Sequence, residues 1–554
     1  MQTALLLHAL ALSLAAAPVA DPQVDLGKVG AVAVHQRCAP AALPELERGV
    51  ALLHSFFYEE ALLSFRKAAE QDPDCATAWW GQSMTYYHPI WAPPRPEEAR
   101  AGAAAADRAL QLGGKSPIEA GLISAIHAYW HDRLPPGARG KRAEGVASCH
   151  GGAPTPGGRA EAFRATLEQL HRRFPADVEV TAFYSLALLG TAPKEDRTLA
   201  QQKQAAALLE RAWARHPSHP GLVHYLIHAY DYPELARRGL KAANAYAAVA
   251  PRVPHALHMP SHIYVRLGHW SQNIRSNLQS VDAADRWMAV RHPGGTMAEA
   301  LHALDYLAYG YLQQGREQEA LAVLQRVGSE PQVHPLREFT GAYARAAVPA
   351  RYALEREAWA EAAKLEVEPL PAWELYPFVS GLVEYAHGLG AARQGDARGA
   401  RAAAARLEQL SRSTETGPFA YFGKQLKAHQ LAVLGWTAHL EKQDAEAQRL
   451  LAEAAAIEDA IGPHPVSPGP LLPARELLGD LFLELGEPGR ARAAYEQTLL
   501  RYPGRLRSLG GAMRAAGDGP LRRRYAQQVL AMAGEGHGAI VAEAQRAAAS
   551  PPAR

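Results

Sequence analysis

Two pairs of histidines recur at one fixed interval. His224 and His228 stand four residues apart in HYLIHAYD, His258 and His262 four apart in HMPSHIY, and each member of the second pair follows its counterpart by 34 residues. A four-residue step puts both imidazoles of a pair on one helical face, one turn apart. A period of this length marks stacked supersecondary units, each burying its neighbour's apolar face. Length agrees, because 554 residues exceed what one compact core can serve.

The unit can be phased elsewhere in the chain. YEEALLSFRKAAEQDPD places Ala61, Phe65, Ala68 and Pro73 at the spacing of a second helix and its closing proline, and the phase returns at Gly486, Ala491, Tyr495 and Pro503, and at Gly315, Ala320 and Leu324. Small residues let paired helices approach while the aromatic fills the gap. Pro73, Pro175, Pro217, Pro251 and Pro503 stop one unit and start the next. These positions resemble the tetratricopeptide repeat, and the resemblance implies an all-α, right-handed helical solenoid with a concave groove. Apolar content of 48% without alternating Val/Ile runs argues against strands. The expected layout is a signal peptide at 1–20, an extended segment at 21–43, N-terminal repeats at 44–132 and a loop insertion at 133–158. Central repeats with a histidine-rich groove follow at 159–330, C-terminal repeats at 331–534 and a tail at 535–554, with about a dozen helix pairs between Pro44 and Ala533.

Several function classes lose support. Net charge is +2 with Lys/Arg interleaved among Asp/Glu, so nucleic acid is not an expected partner. The apolar stretch Ala4–Ala17 ends at Pro18 and is too short to span a bilayer, so it reads as a secretory h-region. Export to a periplasmic or extracellular space, without membrane insertion, is the expectation. Cys38, Cys75 and Cys149 form no CxxC pair; one bridge and one free thiol are expected, with Cys38–Cys149 favoured because both lie in segments read as non-helical. No Walker sequence, GxSxG elbow or strand-linked GxGxxG is present.

The histidines carry the chemistry. Eight of the 24 fall between His224 and His302. With Pro217 and Pro251 as unit ends, the pairs take the fifth and ninth positions of their repeats and His255 the second, the stripe that lines the groove in tetratricopeptide proteins. The next unit sets His302, Asp305 and Tyr309 on that stripe. His54 and His88 are also 34 residues apart, at positions bordering the groove, and Asp231 faces the same way. Duplication of a repeat bearing two histidines would explain the interval alone, but not why His255, His302 and Asp305 join the stripe. Neutral imidazole ligates Zn, Cu, Fe and Ni, and an i, i+4 pair is a ready clamp. His224, His228, His255, His258, His262 and His302 can hold two ions with three ligands each, with His54 and His88 as outlying candidates. A dizinc centre usually recruits bridging carboxylates and only Asp231 and Asp305 are on offer, so copper is favoured over zinc. Asp231, Asp305 and Tyr309 are the catalytic candidates, the two carboxylates being equally suited to fixing a histidine tautomer. His127, His131, His269 and His292 read as ordinary packed or surface residues. Trp79, Trp80, Tyr86, Tyr87 and Trp91 around His88 read as inter-helix packing, and Pro260 should kink its helix.

LLHSFFYEEALLSF, AWWGQSMTYYHPIW, HYLIHAYDYPELA, PHALHMPSHIYVRLG and HALDYLAYGYLQQGR together resemble a group of exported bacterial tetratricopeptide proteins with a histidine-rich block, over roughly Cys38 to Gln314. That likeness implies the fold and names no reaction. The expected function is a transition-metal protein, an oxidoreductase ahead of a hydrolase, with a small-molecule or peptide ligand in the concave groove. The alternatives are a non-catalytic scaffold for a peptide or protein partner, and periplasmic metal storage or delivery.

Overall fold

The computed structural model describes residues 24–549 apart from 35–36, 91–92, 136–156, 194–195, 330–331, 336–337 and 368–370. The expected signal peptide, most of the 133–158 insertion, Trp91 and Cys149 lie outside the described residues. Helices follow one another from Leu43–His54 to Ala539–Ala549, each packing on its chain neighbours, in an all-α solenoid of tetratricopeptide type. Against the expectation of no strands, Thr296–Met297 pairs in parallel with Val333–His334, a two-residue ladder. No helix among the described residues is long and apolar enough to cross a membrane.

The repeat signature has a visible steric cause. Phe65 and Tyr495 are fully buried between helices. A Cβ on Gly81 would stand 2.3 Å from the Phe65 ring, and one on Gly511 2.3 Å from Tyr495. Each aromatic therefore requires a bare backbone sixteen residues on, and the two units solve the same packing problem identically.

The solenoid curls until both ends touch the central repeats. From the N-terminal side, Glu60 accepts from Trp287 Nε1 (2.9 Å) and Arg291 Nε (2.6 Å). From the C-terminal side, Trp270 Nε1 donates to the Gly504 carbonyl (2.8 Å), and Arg505, between Glu355 and Glu476, donates to Tyr309 Oη (3.2 Å). The concave wall is consequently covered where the histidines lie, which corrects the picture of an open groove. The region after Gly534 also holds a helix, Ala539–Ala549, tied down where Gly538 N donates to the Gly315 carbonyl (3.1 Å).

Cys38 is bonded to Cys75, not to Cys149. Cys75 caps the helix Ala76–Thr85, and Ala39 N donates to Asp72 Oδ2 (2.7 Å), so the extended segment is held against the end of the first repeat where the two thiols meet. At Pro260 the helix is interrupted into Pro254–His258 and Pro260–Leu267, with Met259 still helical between them. Ser280 Oγ donates to the Pro254 carbonyl (2.9 Å) and Ser276 Oγ to that of Leu257, bracing the break from the next helix.

Candidate metal centre

The six central histidines resolve into two triads. His224 and His228 from the helix Pro220–Tyr230 meet His255 from Pro254–His258; His258 and His262 meet His302 from Ala298–Gln313. Within each triad the three ligand atoms lie within 4.8 Å of one another. All six side chains are buried, His228 being the most exposed at 8%. His224 Nε2 stands 2.9 Å from His228 Nε2 and 3.0 Å from His255 Nε2, and His258 Nε2 stands 3.0 Å from His262 Nε2. Imidazole nitrogens bound about 2.0–2.1 Å from a shared ion stand about 3.0–3.4 Å apart, so the spacing fits a ligand set as well as it fits imidazole–imidazole hydrogen bonds.

The opposite ring nitrogens fix the tautomers. His224 Nδ1–H donates to the carbonyl of His54 (2.7 Å), which the C-terminus of the helix Leu43–His54 leaves without a partner in its own helix. His258 Nδ1–H donates to Asn277 Oδ1 (2.7 Å); the Asn277 amide donates its own N–H groups to Asn273, so that oxygen can only accept. His262 Nδ1–H donates to Asp231 Oδ2 (2.9 Å), and Arg266 Nε donates to Asp231 Oδ1 (3.0 Å). With an Nδ1–H committed on each ring, the Nε2 atoms of His258 and His262 face each other at 3.0 Å. That contact needs a metal ion or a shared proton between the two nitrogens. His255 Nδ1 is hydrogen-bonded to Glu299, whose carboxyl burial pushes up to about 7. Burial pulls His255 down to about 3 and His258 down to about 4, and holds His224 well below the ordinary range, so these imidazoles are neutral and ready to ligate.

One aromatic ring covers each triad. Phe56, at φ 54° in the turn after the first helix, lies 4.5, 5.7 and 5.5 Å from His224, His228 and His255. Tyr306 lies 4.9, 5.0 and 5.1 Å from His258, His262 and His302, and its hydroxyl donates to the Pro465 carbonyl (2.7 Å). The triads are close neighbours, since His255 and His258 share one helical turn and the charge of Glu299 reaches His258.

The other candidates lie apart from the converging nitrogens. Asp305 faces Arg351 (3.0 Å) and Tyr309 meets Arg505, because the helix Phe339–Glu355 and the C-terminal repeats occupy that face. Asp231 stands behind His262. His54 Nε2 meets Glu179 (2.8 Å), which His219 also contacts (3.0 Å), and His54 touches the centre through its carbonyl. His88 donates to the Thr85 carbonyl (2.8 Å) beside Tyr58. Sequence reasoning missed Glu299, Asn277, Phe56 and Tyr306. Glu299 and Tyr306 flank His302 at i−3 and i+4, a helical signal that was available; Asn277 and Phe56 arrive from other elements and had none.

No family model and no curated sequence matches the chain. It is similar to yeast Tom70 (10% identity over 92% of this chain and 96% of that one, TM-score 0.30). It is also similar to the Cut9–Hcn1 hetero-tetramer of APC/C (11%, 91% and 96%, 0.26) and to the TPR domain of P58(IPK) (11%, 89% and 99%, 0.21).

Proposed function

We propose that this chain is a metalloprotein holding two transition-metal ions, one per imidazole triad, copper ahead of zinc, and that it acts as an oxidoreductase. The observation that carries the reading is the 3.0 Å contact between His258 and His262 Nε2, with both Nδ1–H groups committed to acceptors. Copper in an imidazole set supplies one-electron chemistry with dioxygen. His224, His228 and His255 would hold one ion and His258, His262 and His302 the other. Asp231, Asn277, Glu299 and the His54 carbonyl orient the rings, while Phe56 and Tyr306 exclude water. Copper is preferred because Asp231, Glu299 and Asp305 all stand behind imidazoles or against an arginine and none bridges the triads, whereas zinc hydrolysis favours bridging carboxylates. Burial of all six rings favours a small reactant over a peptide chain. Export belongs to the same reading, supported by the Cys38–Cys75 disulfide, which suits an oxidising compartment, and by the resemblance to exported proteins with this block.

Elemental analysis of protein purified without chelators tests this. About two copper ions per chain are expected, with oxygen consumption lost in His258→Ala; trace metal only, with His258→Ala changing nothing but stability, would sink it. A second reading is a scaffold for a peptide or protein partner. It is favoured by the solenoid and by a surface groove lined by Trp270, Leu499, Leu500, Pro503, Tyr525 and Met532, where Leu500 is 82% exposed. Metal held in both triads without turnover or exchange would instead indicate storage.

A further inference from the structure

A second cluster of ligand-type side chains lies away from the buried triads. Glu59 comes from the first turn of the helix Tyr58–Gln71, His292 directly follows the helix Trp270–Arg291, and His334 sits in the two-residue ladder. Each Glu59 oxygen meets one imidazole: Oε1 is 3.0 Å from His292 Nε2 and Oε2 is 3.1 Å from His334 Nε2. The rings stack with centroids 3.6 Å apart, and both Nε2 atoms face the Glu59 carboxylate. One ligand atom from each residue falls within 4.8 Å of the other two. Side-chain exposures of 41%, 30% and 34% leave room for water to complete a coordination shell.

We propose that Glu59, His292 and His334 form a surface zinc site that clasps the N-terminal repeat to the end of the helix Trp270–Arg291 and to the Val333–His334 strand. Two imidazoles and one carboxylate are a known ligand set for zinc with an open position. The nitrogen-to-oxygen separations match ligands about 2.0–2.1 Å from a shared ion, so small side-chain rotations convert the hydrogen-bonded cluster into a bound one. The neighbouring cation does not oppose this, because Arg291 is neutralised by Glu60 at 2.6 Å. The clasp also has something to hold. Glu59 is next to Glu60, the residue that receives Trp287 and Arg291, and three residues beyond Phe56, the ring over the first triad. An ion bound here would tie the segment carrying that ring to residues more than two hundred positions away.

The proposal is independent of metal in the triads, and zinc titration of the full chain against a competing chromophoric chelator separates the two. Wild type should bind one zinc equivalent that EDTA removes rapidly, and that zinc should raise the melting temperature. His292→Ala/His334→Ala should lose this equivalent and the thermal shift, while Glu59→Gln, which keeps side-chain shape, should weaken it by about tenfold or more. His258→Ala/His262→Ala should keep it. Wild type with no exchangeable equivalent, or either clasp variant retaining it at full affinity, overturns the proposal. Should the double variant fail to fold, Glu59→Gln decides alone.

Discussion

The two triads present the same three imidazoles and differ in everything behind them. The first is backed by a main-chain carbonyl and by Glu299, and is covered by Phe56, an inert ring from the N-terminal repeat. The second is backed by Asn277 and by the Asp231–Arg266 ion pair, and is covered by Tyr306, a ring with a hydroxyl tied to the C-terminal half. The carboxyl behind His262 has a guanidinium partner in Arg266, whereas burial raises Glu299 to about 7 and lets it retain its proton. Two ions held here would be chemically unequal, and the inequality comes from residues that touch neither.

The largest expected effect is on occupancy. His258→Ala/His262→Ala should leave about one ion per chain by mass spectrometry, and His224→Ala/His228→Ala the other; if either pair empties both triads, they are one site and not two. Next comes Asp305→Ala, which leaves the fully buried Arg351 its Gly469, Pro470 and Ser467 acceptors but no counter-charge, and should cost about 3 kcal/mol in chemical denaturation while both ions stay bound. Loss of metal would instead make Asp305 part of the second triad's support. Asp231→Asn should weaken metal binding at the second triad by about 10–100-fold in chelator competition and spare the first.

Acidity should separate Glu299 from His258 by sign. The folded state raises Glu299 from 4.5 to about 7, so its contribution in metal-free protein is full below 4.5 and is lost as pH rises through 7. Glu299→Gln should flatten that decline in melting temperature. The folded state lowers His258 from 6.5 to about 4, so its contribution is present above 6.5 and is lost as pH falls through 4. A decline on the acid side that is unchanged in His258→Ala would contradict this. The smallest effect is expected from Tyr306→Phe, which makes the two covers alike at a cost of about 1 kcal/mol and should leave occupancy unchanged.

How much of this was legible follows from where each part originates. Repeats, helices and the six histidines are periodic, so spacing displays them: Phe65 and Tyr495 announce their units, and the 34-residue interval joins His224 to His258. The stripe then misjudged its last unit. His302 turns inward, but Asp305 at i+3 is drawn to Arg351 and Tyr306 at i+4 takes the place over the imidazoles. Helical geometry allows either neighbour, and only the helix packed alongside decides. The backing of the rings is tertiary throughout. Asn277 and the His54 carbonyl reach their histidines across 19 and 170 residues, with no motif to mark them. The closure of the groove was hidden for the same reason, because curvature accumulates over many small inter-helix angles.

The break at Pro260 has one more consequence. His255 and His258 sit on the same short helix, yet each serves a different triad. Three residues of α-helix advance about 4.5 Å, so the backbone acts as a ruler between the two centres. Phe56 and Tyr306 reach the triads from other parts of the chain, but the interval between His255 and His258 is set within one helical turn.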